Sequence, residues 1–216
     1  MGKNKKNYIP TFGEELANVT THGSMAALAL CALPATAIYA YVHGGIVAGV
    51  GVSIFMVSIF LMFLCSTLYH AMAQETRHKQ IFKILDHIFI YVAIAGTYTP
   101  IAISVIGGWQ GTVILILQWS MVVFGIFYKS LSRRSIPKIS LTIYLVMGWT
   151  LVLFLPMILA KAGVPLLLLI LGGGVFYSVG AVFYAMKGFK FHHMVWHLMI
   201  NLGALAHLIG IVFFIY

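Results

Sequence analysis

The chain has 216 residues, of which 62% are hydrophobic and 8% are charged, and its mean hydropathy is +1.02. A chain this apolar cannot cover its hydrophobic side chains inside a water-soluble globule, so a soluble protein is excluded. Its 13 Lys and Arg residues against 4 Asp and Glu residues give a formal charge of +9. No basic segment alternates with aromatic residues as a base-stacking surface would, so we predict no nucleic-acid partner.

Seven apolar segments follow one another along the chain, and each is long enough, at about 20 residues, to cross the hydrocarbon core of a bilayer. Only short polar breaks separate them. We predict an all-α membrane protein, a seven-transmembrane helix bundle that forms a single domain over residues 1–216. Residues 1–21 are expected to be a cytoplasmic tail that could include an interfacial helix. The predicted spans are approximately 22–42, 46–69, 84–104, 109–128, 139–160, 164–186 and 193–216.

Basic residues are concentrated on one side of this topology. Short loops rich in Lys and Arg stay in the cytoplasm, so the pattern predicts a cytoplasmic N-terminus and an external C-terminus. We expect a multi-pass protein of the plasma membrane whose basic face attracts anionic lipid headgroups. The oligomeric state is left open. The basic residues of the predicted inner face are Lys3, Lys5, Lys6, Arg77, Lys79, Lys83, Lys129, Arg133, Arg134, Lys138, Lys187 and Lys190, and Lys161 lies on the other side.

Polar residues gather near the predicted cytoplasmic ends of three spans. His70 ends the second span, and Ser66 lies one turn deeper on the same face. Asp86 is expected in the first turn or so of the third span, and His193 and His197 lie one turn apart at the start of the last span. Ionisable groups at membrane depth cost free energy, so these residues are candidates for a functional site.

Three imidazoles from two helices are a ligand set that suits Zn²⁺, and they would leave one tetrahedral position open. Zinc in such a site polarises a carbonyl group and activates water for attack on an ester or amide. Asp86 could then orient the water or act as general base, and Ser66 could hold it by a hydrogen bond. Other interpretations stay open: a helix-end packing pair for the two histidines, a charge favoured at a helix N-terminus for Asp86, and a hydroxyl bonded to its own helix for Ser66.

Glu14, Asn18 and His22 form a polar stripe at positions i, i+4 and i+8 of a helix that enters the first span. One interpretation is a cap over the cytoplasmic mouth of the site. The other is an interfacial helix that anchors itself in the membrane surface.

Three further polar residues lie in the last span or directly before it. Asn201 continues the face of the histidine pair and could support the site. His192 is an alternative ligand, although its side chain points about 100° away around the helix. His207 lies roughly 15 Å farther along the helix, too far to bind the same ion, so we predict that it forms a hydrogen bond inside the bundle.

These motifs resemble those of the bacterial hemolysin III family. That family is part of the progestin and adipoQ receptor superfamily, which includes the adiponectin receptors and is distantly similar to alkaline ceramidases. The resemblance covers essentially the whole chain. The residues that carry it are the segment 14–23, Ser66 with His70, the run Leu85-Asp86-His87, and the run His193-Met194-Val195-Trp196-His197 with the later His207.

The resemblance implies seven helices, an inward N-terminus and a zinc ion held by His70, His193 and His197. It also implies that Ser66 and Asp86 lie beside the zinc, and that the protein is a candidate hydrolase of a lipid amide or ester. The family is linked to membrane-lipid homeostasis and, by its name, to red-cell lysis. The chain departs from the receptor branch in one position, since His87 follows the aspartate where the receptors usually have tyrosine.

Three classes of function follow from these features. The first is a zinc-dependent lipid hydrolase. The second is a non-catalytic lipid sensor in which zinc holds helices together, which a fourth protein ligand such as Asp86 would favour. The third is a pore-forming cytolysin; no span carries a continuous polar stripe, which argues against a pore lined by one chain but leaves an oligomeric pore open.

Overall fold

The computed structural model describes residues 10–131, 137–186 and 189–216. Within these ranges all regular structure is helical. The basic residues Lys3, Lys5, Lys6, Arg133, Arg134 and Lys187 of the predicted inner face lie outside the described residues. The elements are α1 (Phe12–Ala71), α2 (Arg77–Pro100), a π-helical turn (Ile101–Ile106), α3 (Gly108–Leu131), α4 (Pro137–Trp149), a 3₁₀ segment (Thr150–Phe154), α5 (Leu155–Met186) and α6 (His192–Phe214).

Five helical stretches are long and apolar enough to cross a membrane. This finding confirms the predicted class, an all-α bundle of membrane helices. The outer surface agrees with it, since large apolar side chains such as Leu153 and Ile116 are 76% and 62% exposed, as expected of a surface that contacts lipid. The five stretches are Phe12–Ala71, Arg77–Ile106, Gly108–Leu131, Lys138–Met186 and His192–Phe214.

Two of these stretches contain a single glycine with a non-helical backbone. Gly45 has φ 77° and ψ −171° inside α1, and Gly163 has φ 76° and ψ −177° inside α5. These dihedrals are open to glycine but strained for residues with a Cβ atom. Both glycines fall between predicted spans, Gly45 after residue 42 and Gly163 after residue 160.

Helix α1 begins well before the predicted first span. Thr11 caps it, because the Thr11 side chain accepts a hydrogen bond from the Glu14 amide and the Glu14 side chain accepts one from the Thr11 amide. The turns before His22 therefore continue directly into the membrane helix. They place three turns of polar side chains against the end of the same helix and the start of α6.

Packing brings the start and end of α1 next to α6. Helix α1 packs on α2 and α6, and α5 packs along α6. The core between them is apolar, with Phe55, Phe63, Ile158 and Ile211 fully buried. Because α1 doubles back, His70 at its end and the first turns of α6 lie at the same end of the bundle.

Candidate metal centre

Three histidines meet at one end of the bundle. One ring nitrogen from each of His70, His193 and His197 lies within 4.8 Å of the others. The ring centroids of His193 and His197 are 4.7 Å apart. The centroid of the His70 ring is 4.9 Å from that of His193 and 5.1 Å from that of His197. The predicted convergence of these three residues is therefore confirmed, and their arrangement could hold a metal ion.

The Glu15 carboxylate contacts one ring nitrogen of His70. Glu15 Oε2 lies 2.6 Å from His70 Nδ1, while Glu15 Oε1 accepts hydrogen bonds of 2.8 Å from Lys79 Nζ and Gln74 Nε2. The Lys79 ammonium favours the ionised form of the Glu15 carboxylate. An ionised carboxylate can only accept hydrogen bonds. A neutral His70 ring therefore donates from Nδ1 and has its lone pair on Nε2.

The Nε2 atom of His70 is the ring nitrogen that Glu15 does not contact. It is buried and has no hydrogen-bond partner among the described residues. A buried polar atom without a partner costs roughly 1–3 kcal/mol, and a metal ion would satisfy it. This orphaned nitrogen is the local observation that fits a metal best.

The tautomer of His197 follows from Thr21. The Thr21 hydroxyl donates its single proton to the Ala17 carbonyl at 2.8 Å, with the Asn18 carbonyl at 3.0 Å. It must therefore accept from His197 Nδ1, which lies 3.2 Å away. The lone pair of His197 then lies on Nε2, as it does in His70.

His22 covers one face of the His197 ring. Its ring stacks on that of His197, with centroids 3.5 Å apart and planes 9° apart, and meets Phe63 edge-on at 5.1 Å. Both ring nitrogens of His22 are buried without a hydrogen-bond partner among the described residues. His22 therefore limits how the His197 ring can tilt.

The polar stripe of α1 faces this cluster. Glu14, Asn18 and His22 are all at least 96% buried, with exposed fractions of 4%, 2% and 4%. Glu14 Oε1 accepts a 3.0 Å hydrogen bond from the amide of Phe191, which precedes α6. Asn18 Nδ2 lies 3.4 Å from His70 Nδ1, but both atoms are donors when Nδ1 is protonated, so this contact adds no hydrogen bond. The stripe thus packs over the site, as the capping interpretation expects.

Ser66 and Asp86 line the same cavity as the histidines. Ser66 is buried, and its hydroxyl has no hydrogen bond within the described ranges, whereas that of Thr67 donates to the Phe63 carbonyl of its own helix. Asp86 lies outside the group of three histidines, with Oδ2 3.7 Å from His87 Nδ1. The catalytic roles of Ser66 and Asp86 stay predictions.

One expectation about Asp86 was wrong. Helix α2 begins at Arg77, where the Thr76 side chain accepts from the Lys79 amide, so Asp86 lies about the third turn and not the first. The field of a helix N-terminus falls off within the first turn. That field therefore does not account for this carboxylate.

The remaining polar residues of α6 behave largely as predicted. Asn201 Nδ2 donates to the Thr21 carbonyl at 3.2 Å and so supports the residue that binds His197. His207 Nε2 lies 3.1 Å from the Ile170 carbonyl inside the bundle, which confirms its separate role. His192 directs Nδ1 at the Phe189 carbonyl, 3.0 Å away, and lies outside the histidine cluster.

The cluster opens into a cavity of about 1420 Å³. This volume exceeds the roughly 300–1,000 Å³ of ordinary small-molecule pockets. Beyond the histidines the wall is mainly apolar and comes from α1, α2, α4, α5 and α6. It reaches Trp149, whose indole donates to the Ser178 hydroxyl at 3.0 Å. The apolar lining includes Ile59, Ile90, Ile94, Leu145, Leu171 and Ile200.

The comparisons with known proteins identify the family. The model of the family described as "Haemolysin-III related" matches residues 11–208. This chain belongs to that family. It is 38% identical over 205 residues to the "Hemolysin-3 homolog" of Bacillus subtilis (strain 168), covering 94% of this chain and 95% of the relative. It is 35% identical over 202 residues to "Hemolysin-3" of Bacillus cereus, covering 94% and 92%.

The family assignment confirms the resemblance drawn from the motifs and agrees with an integral membrane protein. All three clustered histidines of this haemolysin-III related chain lie within the matched segment, as do Glu15 and Thr21. The residues of the site therefore all lie in the part of the chain that the family model matches.

The donor set of this haemolysin-III related protein fits a metal. Both assigned tautomers present Nε2, and metal-bound imidazoles commonly donate their other nitrogen to an oxygen acceptor. Imidazole ligands suit Zn, Cu, Fe and Ni, and three histidines leave room for a further ligand.

Sequence reasoning missed Glu15 and Thr21 as parts of the site. The i, i+4 spacing selected Glu14, and Lys79 was used only for orientation. One signal was present: the chain has only 4 acidic residues, and two of them are adjacent at the start of α1. Their partners lie far away in sequence, so the spacing within one helix could not identify which carboxylate meets a histidine.

Proposed function

We propose that this protein is a zinc-binding integral membrane protein that hydrolyses an amide or ester bond of a membrane lipid. His70, His193 and His197 would hold the zinc. The observation that carries the proposal is the three-histidine cluster, with an orphaned buried nitrogen, at the wall of a large and mainly apolar cavity. Such an activity fits a role in membrane-lipid homeostasis.

Zinc bound there would supply Lewis acidity, which polarises the scissile carbonyl and activates water. Residues of the chain would orient the water, accept its proton and bind the substrate. Asp86 lines the cavity with an ionisable carboxylate and would orient the water and take its proton. Ser66 has a hydroxyl free to bind the water or the substrate carbonyl. The apolar wall would accommodate the acyl chain, which keeps the reacting bond near the histidines.

We further propose that the chain crosses the plasma membrane seven times, with the N-terminus in the cytoplasm and the C-terminus outside. The 60 residues of α1 would span about 90 Å if straight, against a hydrocarbon core of about 30 Å. The proposal is supported by the non-helical backbone at Gly45 and Gly163, where α1 and the stretch Lys138–Met186 would each divide into two crossings. Basic residues of the inner face would attract anionic lipids.

Elemental analysis of the purified protein tests the metal. About one zinc per chain is expected in the parent, and little zinc in the alanine variants of His70, His193 and His197. His43→Ala is the matched control, because His43 is exposed and far from the cluster. A parent without metal, or cluster variants that keep it, would contradict the proposal. Ceramide-like and phospholipid substrates can then be screened by mass spectrometry.

A non-catalytic sensor is the second candidate. The cluster joins the end of α1 to the start of α6, so a bound metal could hold helices in one arrangement without turnover. Normal zinc content with no product from any lipid tested, and a helix arrangement that changes with lipid composition, would favour it.

A cytolysin is the third candidate, and the name of the Bacillus cereus relative, Hemolysin-3, favours it. Dye release from liposomes by purified protein would test it. Equal release by the parent and the histidine variants would separate lysis from the metal site.

A further inference from the structure

Glu15 joins three segments of the chain. It lies in the first turns of α1, yet Oε2 contacts His70 at the end of the same helix, 55 residues later. Oε1 accepts from Gln74 in the connection that follows and from Lys79 in the first turn of α2. Its side chain is 15% exposed, so these contacts form in a largely water-excluded position, where they are stronger than in bulk solvent.

Lys79 is itself held in place. Only 7% of the residue is exposed, and Nζ donates to the Met72 carbonyl at 3.1 Å as well as to Glu15. The Lys79 amide donates to the Thr76 hydroxyl, and the ammonium lies 5.0 Å from the Tyr69 ring centroid. The ammonium is therefore a fixed partner for the carboxylate rather than a mobile surface charge.

We propose that Glu15 is a positioning residue for His70. It holds the ring as the tautomer protonated at Nδ1 and directs Nε2 at the metal, and Lys79 fixes the carboxylate that does so. This inference rests on the proposed zinc site. Removing the partner of a metal-bound imidazole typically lowers metal affinity by about 10–100-fold.

The competing explanation is a simple ion pair between Glu15 and Lys79 that fastens α1 to α2. The two explanations differ in whether His70 requires a hydrogen-bond acceptor at residue 15. A simple ion pair between residues 15 and 79 requires no hydrogen bond to His70. A positioning carboxylate must accept from Nδ1, and an ammonium at residue 15 cannot accept.

The test measures zinc affinity by chelator competition in full-length protein, with thermal unfolding recorded in parallel. Glu15→Gln is expected to lower affinity by about 10–100-fold. Glu75→Gln is the matched control, because the same chemical change occurs on an exposed carboxylate outside the cavity and the histidine cluster, and it should keep affinity within about threefold. The exchanged pair Glu15→Lys with Lys79→Glu should not recover zinc affinity, because an ammonium at residue 15 cannot accept from His70 Nδ1. Parent-like affinity in Glu15→Gln, or recovered affinity in the exchanged pair, would overturn the proposal.

A metal-free measurement keeps the inference separate from the proposed function. The ¹⁵N chemical shifts of His70 distinguish the two neutral tautomers, with His70→Gln used for assignment. We expect protonation at Nδ1 in the zinc-free parent and a mixture or the other tautomer in Glu15→Gln. The same tautomer in both proteins would overturn the positioning role. A parent that binds no zinc but shows this change would contradict the proposed function and leave the positioning role supported.

Discussion

The rings of His22 and His197 lie face to face, with centroids 3.5 Å apart and an interplanar angle of 9°. His22 lies about three turns into α1 and His197 lies in the second turn of α6. The stack therefore joins the start of the chain to a candidate metal ligand.

His22→Phe should retain zinc, because phenylalanine keeps the stack and His22 nitrogens have no partner among the described residues. His22→Ala should lower the unfolding free energy by at least about 1 kcal/mol, since it removes a buried ring and its aromatic contact. Metal content and thermal unfolding in detergent would check both. Zinc lost in His22→Phe as fully as in His197→Ala would show that a His22 nitrogen is required.

His193→Ala and His197→Ala should each remove most of the bound zinc, whereas Asp86→Ala should keep the zinc and abolish hydrolysis. The reason is geometric, because Asp86 lines the cavity but lies outside the histidine group. Elemental analysis and product detection by mass spectrometry measure the two properties separately. An Asp86→Ala protein that has lost its zinc would make Asp86 a ligand and favour the sensor.

Thr21→Val should lower zinc affinity by about tenfold, because valine keeps the shape but cannot accept from His197 Nδ1. Thr21→Ser keeps the hydroxyl and should bind zinc like the parent. Chelator competition measures both. Equal affinity in the valine and serine variants would remove Thr21 from the site.

Gly45→Ala should destabilise the protein by roughly 1–3 kcal/mol, because its φ of 77° is strained for alanine. Space is not the cause, since a Cβ atom there would meet nothing within 4 Å. Gly172→Ala is the matched control, as it is helical and equally open, and it should be neutral or stabilising. Thermal unfolding measures the stability of both variants. A Gly45→Ala protein as stable as the parent would contradict the backbone conformation at Gly45.

Seven crossings should place the two ends of the chain on opposite sides of the membrane. A reporter that is active only outside the cell should work when fused after Tyr216 and fail when inserted in the connection between α1 and α2. Activity at both positions, or at neither, would contradict the proposed topology.

Much of the site could be read from one helix at a time. His193 and His197 share a face at helical spacing, and an i, i+4 pair keeps that relationship wherever the helix packs. The polar stripe of Glu14, Asn18 and His22 was visible for the same reason. The position of Asp86 within its helix was misjudged because the polar start of α2, from Arg77 onward, lacks the hydrophobicity that marks a span.

Composition and periodicity by themselves determined that this is a helical membrane protein and that three histidines lie at ends of its helices, because hydrophobicity and helical spacing are local properties. Only the tertiary structure decided which groups support those histidines. Glu15 meets His70 across 55 residues, and Thr21 meets His197 across 176. Such contacts depend on how α1 folds back and where α6 packs, and those arrangements come from the summed packing of the whole bundle rather than from any short pattern.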